Sequence, residues 1–248
     1  MFLPRKLLSA RFALTMPKKE REPIFVLDES EKFQPLAVES VEAAPAKLVG
    51  LDGKEHGNVE LAKLPPQGGR MNFPPDPEEL EKRLRTAFGG VGYKRELVAG
   101  GLTWVQYWLW YLHNPKQIVV AGVHEGDWEF VQVGYHGEAP ICVTVSRHRT
   151  AGARMWWDVE RRDGRPVVYV ARDSHAHYFT PVSEAFEWED DADGKGEELA
   201  LEWREFGDWA TWPGLWGNST GLGRSPQSPG SQAERWNAPH RYHSSGSR

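Results

Sequence analysis

The stretch Leu102-Thr103-Trp104-Val105-Gln106-Tyr107-Trp108-Leu109-Trp110-Tyr111-Leu112 constrains the fold most, because both of its alternating faces are apolar. Side chains of a strand point to opposite faces in turn, so a strand apolar on both must be covered on both. It reads as the central strand of a covered sheet. Further strands are expected at residues 23–28, 35–39, 118–123, 128–135, 141–146 and 166–172. Their separators carry Gly, Pro, Asn or Asp and are mostly too short to hold helices. The pattern predicts a mainly β chain: an antiparallel β-sandwich with long loops and one or two short helices. One helix start is legible at Asp76-Pro77-Glu78-Glu79. Asp76 can cap it, Pro77 fits the first turn, and Leu80, Leu84 and Phe88 form a stripe that Gly89-Gly90 ends.

The 248 residues suit one large domain with extensions. Residues 1–22 form a basic, disordered arm whose composition resembles a transit peptide, with Met16 as an alternative start. Residues 23–221 form a single sandwich, with a loop over 44–76 and a solvated acidic loop over 187–193. Trp203, Trp209, Trp212 and Trp216 wrap the core, and residues 222–248 read as a poorly ordered Ser/Pro/Gly-rich tail. The 12 tryptophans suit a sheet-based core. A net charge of -5 with interleaved signs argues against a nucleic-acid partner. Cys142 is the single cysteine, so no intrachain disulfide or cysteine-rich zinc site can form, which fits a cytoplasmic protein. No segment approaches the roughly 20 apolar residues that span a bilayer.

The chemistry concentrates at His124-Glu125-Gly126-Asp127-Trp128-Glu129. Burying an uncompensated carboxylate costs several kcal/mol, on the order of a domain's whole stability, so these groups need partners. In an extended chain Asp127, Glu129, Val131 and Val133 share one face, and Trp128, Phe130 and Gln132 share the other. His124 meets Asp127 only if Gly126 kinks the backbone by a bulge or tight turn. Glu125 is expected to face solvent. His148 and His175 end two other predicted strands, so three strand ends each deliver a histidine with polar neighbours. Two readings follow. His124, Asp127, Glu129, His148 and His175 hold a divalent cation (Ca, Mg, Mn or Zn), or they form a salt-bridge network without metal.

Three segments carry a resemblance. Tyr107 to Asn114, His124 to Glu129, and Val168-Tyr169-Val170-Ala171-Arg172-Asp173-Ser174-His175-Ala176-His177-Tyr178-Phe179 resemble, in order, the vacuolar protein sorting-associated protein 62 family. The match covers roughly residues 23–240 and departs at Asp173, where glycine is usual, and at His177, where Asn or Ser is usual. That resemblance implies no particular activity. More distantly, Val123 to Glu129 and Ser146-Arg147-His148 are similar to elements of the necrosis- and ethylene-inducing peptide-like proteins. Arg149 stands where that group has glycine. This likeness implies an actinoporin-like sandwich, a cation held by His124, Asp127, Glu129 and His148, and a lipid-headgroup ligand.

The leading expectation is a binding or interaction module with a divalent-cation site. The alternatives are a metal-dependent hydrolase in which His175 or Glu129 takes a proton from metal-bound water, and a cytolysin-like protein that binds a lipid or sugar headgroup.

Overall fold

The computed structural model describes residues 21–116, 123–148, 150–185, 189–219 and 223–246. The basic arm up to residue 20, most of the expected strand 118–123, Arg149 and residues 187 and 188 of the acidic run lie outside the described residues.

A six-stranded sheet organises the chain, in the order Glu202–Arg204, Val91–Ala99, Leu102–Asn114, His124–His136, Ala139–Arg147 and Thr150–Met155. All its pairs are antiparallel except the short Glu202–Arg204 edge, which runs parallel to Val91–Ala99. The doubly apolar strand is central, as its sequence requires. Tyr107, Leu109 and Tyr111 face a second sheet, while Trp108, Trp110 and Leu112 face a helical and looped layer. The second sheet is built on Arg165–Val170. It pairs in parallel with Ile24–Leu27 and antiparallel with Arg161–Arg162 and His177–Tyr178. Phe25, Leu27, Val168 and Val170 close this side against Val131, Val133, Val143 and Val145.

The other face is covered by the helix Pro77–Phe88, the segment around Leu36 to Ala46, and Trp209, Trp212 and Trp216. The helix begins where its signals place it. Asp76 accepts a hydrogen bond from the Glu79 N–H at 3.2 Å, Pro77 opens the first turn, and Leu80 and Leu84 are buried. Among the described residues no helix is long and apolar enough to cross a membrane.

Five regions differ from the sequence expectation. Residues 35–39 are not a strand: only Leu36 bridges Gly89, and the chain turns into the short helix Ser40–Ala43. Residues 44–76 are not all loop, because Lys47–Val49, Glu55–Asn58 and Arg70–Asn72 pair into a three-stranded sheet. Val91–Ala99 and Thr150–Met155 were not legible because charged and small residues break their alternation. Finally, residues 223–246 fold as a turn followed by helices Ala233–Asn237 and Pro239–Gly246. The cause lies in the sheet, where Gln106, Gln132 and Thr144 are fully buried and need partners. The Pro239 carbonyl accepts from Gln132 Nε2 at 2.9 Å, and His243 Nδ1 meets Thr144 Oγ1 at 2.7 Å.

Candidate functional site

The strand His124–His136 has two faces of opposite chemistry. Trp128 and Phe130 enter the aromatic layer, while Asp127 and Glu129 point between the sheets ahead of Val131 and Val133. Gly126 supplies the expected kink through a φ of +66°. No residue is inserted, because the register Tyr111↔Asp127, His113↔Glu125 and Asn114↔His124 continues through it. A Cβ at this position would lie 2.3 Å from the Trp216 carbonyl oxygen and 2.5 Å from the Trp110 ring, so only glycine fits.

His124 uses Nδ1 to donate to the Gly126 carbonyl at 2.8 Å. Glu125 does not face solvent. Its Oε2 accepts from the backbone N–H of Asn218 at 2.8 Å and of Phe73 at 3.3 Å, so the side chain pins two loops to the strand. Partial burial raises its pKa, against the pull of those two bonds.

Asp127 centres a first buried network. Its Oδ2 accepts from His175 Nδ1 at 3.0 Å and from Asn114 Nδ2 at 2.9 Å. Tyr111 stacks flat on the His175 ring, 3.8 Å between centroids, and Glu31 lies 3.9 Å from His175 Nε2. That last distance is an ion-pair separation and not a hydrogen bond, so Nε2 is left without a partner. Burial alone would raise the Asp127 pKa, but the His175 hydrogen bond and the His124 and His175 charges hold it below the ordinary carboxylate value. Burial likewise pulls His175 down, and the Asp127 bond with the Glu31 and Asp127 charges pushes it above the ordinary imidazole value. Both shifts favour the charged forms, so the pair has the character of a buried ion pair.

Glu129 behaves differently. Burial first, and then the Asp127 charge, push its carboxyl far up, which favours the protonated form, and its Oε2 has no partner. Burial also raises Glu31, although Phe33 and Asp173 donate backbone bonds to it.

Asp190 centres a second network, reached from the first through Asn114 Nδ2, which also donates to the Ser174 carbonyl at 3.3 Å. Asp190 Oδ2 receives His148 Nε2 and the Tyr178 hydroxyl, both at 2.7 Å, and Oδ1 receives the Ser174 hydroxyl at 2.7 Å. Burial would raise Asp190, but the His148 bond and charge outweigh it and the carboxyl lies low.

The turn between the networks is held in the left-handed region, with φ of +66° at Asp173 and +54° at His175; His148 lies at +51°. Asp173 thus holds a φ that glycine enters more readily than any residue with a Cβ. Glu31 stabilises this turn by accepting from the Asp173 N–H at 2.6 Å.

The five sequence-selected residues thus divide. Asp127 and His175 bond directly, Glu129 stands beside them, His124 acts on Asp127 through its charge, and His148 is committed to Asp190. Among the described residues no group of three or more His, Cys, Asp or Glu side chains is arranged to hold a metal ion. Instead, buried polar atoms without hydrogen-bond partners gather here: Tyr111 OH, His113 Nδ1, Glu129 Oε2, His175 Nε2 and His177 Nε2. Burial drives both His113 and His177 down to about 4, so they are neutral.

Sequence reasoning missed Glu31 and Asp190. Asp190 hides in an acidic run with no alternation to mark one member as buried, and only its strand pairing with Val182–Ala185 turns it inward. Glu31 follows the turn after Ile24–Leu27, where its single signal is proximity to Asp28 and Phe33.

No protein-family model matches this chain, and no curated protein matches it. Among solved structures, one described as a toxin fold for microbial attack and plant defense is 14% identical, with a TM-score of 0.43 over 78% of this chain and 74% of that one. Necrosis and Ethylene inducing Protein 2, from the causal agent of cocoa's Witches Broom disease, is 15% identical, with a TM-score of 0.40 over 82% and 74%. NLPPya in complex with glucosamine is 12% identical, with a TM-score of 0.40 over 81% and 76%. These are distant likenesses to the group that Val123 to Glu129 resembles. None of these comparisons supports the resemblance to the vacuolar protein sorting-associated protein 62 family.

Proposed function

We propose that this chain is a binding module, not a hydrolase, and that it takes a hydroxylated headgroup of sugar or lipid at the sandwich end around Asp127. One observation carries the reading: five buried polar atoms without partners belong to His175 and to residues that stack on or couple to the hydrogen-bonded Asp127–His175 pair. Unpartnered buried groups are rare because each costs about 1–3 kcal/mol, so a cluster of them is capacity that folding itself does not use. A ligand with several hydroxyls both donates and accepts, and can answer the neutral imidazoles and the Glu129 carboxyl together. Half-buried His113 and His124 lie where this cluster approaches the surface. The protonation states argue against the hydrolase alternative. A general base must hold no proton, whereas in the metal-free fold burial and the Asp127 charge shift Glu129 towards its protonated form, and the Asp127 bond shifts His175 towards its charged form.

The test is calorimetric titration with glucose and glucosamine, together with sedimentation on vesicles carrying a glycosylated lipid. Binding that weakens by about tenfold or more in Asp127→Asn is expected, since a buried charged hydrogen bond carries about that much. Absence of binding to every probe would sink the reading.

A divalent cation is the second reading, favoured by the free Glu129 Oε2. A cation would displace the Glu129 proton and bind between Asp127 and Glu129, with His124 or His175 adjusting. Binding would then strengthen with rising pH. The added stability from Ca, Mg, Mn or Zn should grow as the pH is raised. Unmoved melting in all four, with no metal found by mass spectrometry, would remove the cation.

A further inference from the structure

A cleft of about 260 Å³ opens beside the second network, on the far side of the strand His177–Tyr178. Arg147, Arg154, His177, Tyr178, Phe179 and Thr180 line it, and none of the sequence-selected residues does. The Arg147 guanidinium lies 5.1 Å over the Tyr178 ring and that of Arg154 lies 5.1 Å over the Phe179 ring. Stacking on an aromatic face fixes the plane of a guanidinium and leaves its N–H edge free to fork onto an oxyanion. No ion pair joins either arginine to a described carboxylate. Two positive charges thus flank one cavity, and among the described residues no carboxylate lines it.

His177 defines the third contact. It is fully buried, and its Nδ1 lies 3.3 Å from the Phe130 carbonyl oxygen. A carbonyl only accepts, so Nδ1 carries the hydrogen, and in a neutral ring Nε2 is a bare acceptor. That Nε2 has no partner. The cleft therefore brings two guanidinium groups together with His177, a lining residue whose Nε2 is a buried acceptor without a partner. A phosphate monoester in its monoanionic form presents both an anion and an O–H, as does no simple carboxylate without an added hydroxyl.

We infer that this cleft is a phosphomonoester site, with Arg147 and Arg154 clamping the anionic oxygens and His177 Nε2 accepting the P–O–H. The cleft adjoins the headgroup site, because His177 belongs to both, but Arg147 and Arg154 line the cleft alone, so their variants test it separately. Its volume suits a small group such as a glycerol or sugar phosphate. The same chemistry is carried by a soluble phosphate ester and by the headgroup of phosphatidic acid.

The full chain is titrated with glycerol 3-phosphate and with inorganic phosphate, and sedimented with phosphatidylcholine vesicles with or without phosphatidic acid. Wild type should bind glycerol 3-phosphate, and the exposed-residue variant Arg154→Gln should weaken it by about tenfold or more, the range of one charge-assisted pair. His177→Phe removes the acceptor, and so should weaken the phosphate ester while leaving sulfate, which lacks the proton at neutral pH, unchanged. Sedimentation only with phosphatidic acid present would assign the site to a lipid source, and binding of the soluble ester alone to a metabolite. Equal affinity in wild type, Arg154→Gln and Arg147→Gln, each folded by circular dichroism, would overturn the site. So would no binding of either phosphate or of the vesicles.

Discussion

The strand His124–His136 separates two interiors built on opposite rules. On one side Trp128 contacts Trp110, Trp209 and Trp216, with ring centroids 5.2, 5.7 and 5.4 Å apart. On the other, Asp127 and Glu129 face imidazoles and carboxyls in equally deep burial. The aromatic side gains stability from every contact, because dispersion and exclusion of water add without regard to direction. The polar side gains only where geometry closes a bond, and several of its atoms close none. Neighbouring residues on one strand thus serve the fold and the site separately, and the two sides should respond differently to mutation and to pH.

The largest effect is expected on the aromatic side. Trp128→Ala should cost about 3–5 kcal/mol, the range for emptying a fully packed aromatic position. Because no titrating partner is involved, urea midpoints should fall equally at acidic and neutral pH. A loss confined to one pH would break the contrast between the two interiors.

Asp127→Ala should come next, at about 3 kcal/mol, because it leaves His175 charged and unpaired. This cost must depend on pH. The Asp127 pKa is lowered in the fold, so its contribution holds above the ordinary 3.8 and is lost as pH falls through the folded value. The His175 pKa is raised, so its contribution is complete below 6.5 and is lost as pH rises through its folded value. The difference between variant and wild type should therefore peak between these limits and shrink on both sides. A flat difference across that window would show that the pair is not ionic.

Glu129→Gln should move the other way. In the folded protein Glu129 keeps its proton, while the unfolded chain releases it above 4.5, so wild-type stability falls with rising pH at up to about 1.4 kcal/mol per pH unit. An amide carries no such penalty. The variant should gain on wild type as pH rises from acid to neutral, read from paired urea titrations. A variant that tracks wild type across that range would place an ionised Glu129 in the fold and strengthen the cation reading.

The contrast between the interiors also explains what was legible in the sequence. Hydrophobic alternation announces itself, so the doubly apolar strand, the capped helix at Asp76 and the burial of Trp209, Trp212 and Trp216 were readable from residue type and spacing. The division of Asp127 and Glu129 from Trp128 and Phe130 followed from the period of two. Polar closure has no such period. Asp190 and Glu31 are bonded across 16 and 142 residues, to Ser174 and to Asp173, and nothing local distinguishes them from solvated carboxylates. The order in residues 223–246 was hidden for the same reason, since their Ser, Pro and Gly content says nothing of the buried glutamines they satisfy.

The smallest expected effect lies in the turn that joins the two networks. Asp173 sits at φ +66° with its side chain about a third exposed, and the closest cation is Arg172 at 3.8 Å. Glycine and alanine both remove the carboxylate, so they share its electrostatic loss and differ in backbone freedom alone. A Cβ in the left-handed region costs about 1 kcal/mol, partly offset by glycine's greater entropy when unfolded. Asp173→Gly should therefore be more stable than Asp173→Ala by up to about 1 kcal/mol. If alanine equals or exceeds glycine in urea midpoint, the turn is not held left-handed in solution. His175 would then lose the backbone geometry that aims it at Asp127, and the polar interior would lack the rigid frame assigned to it.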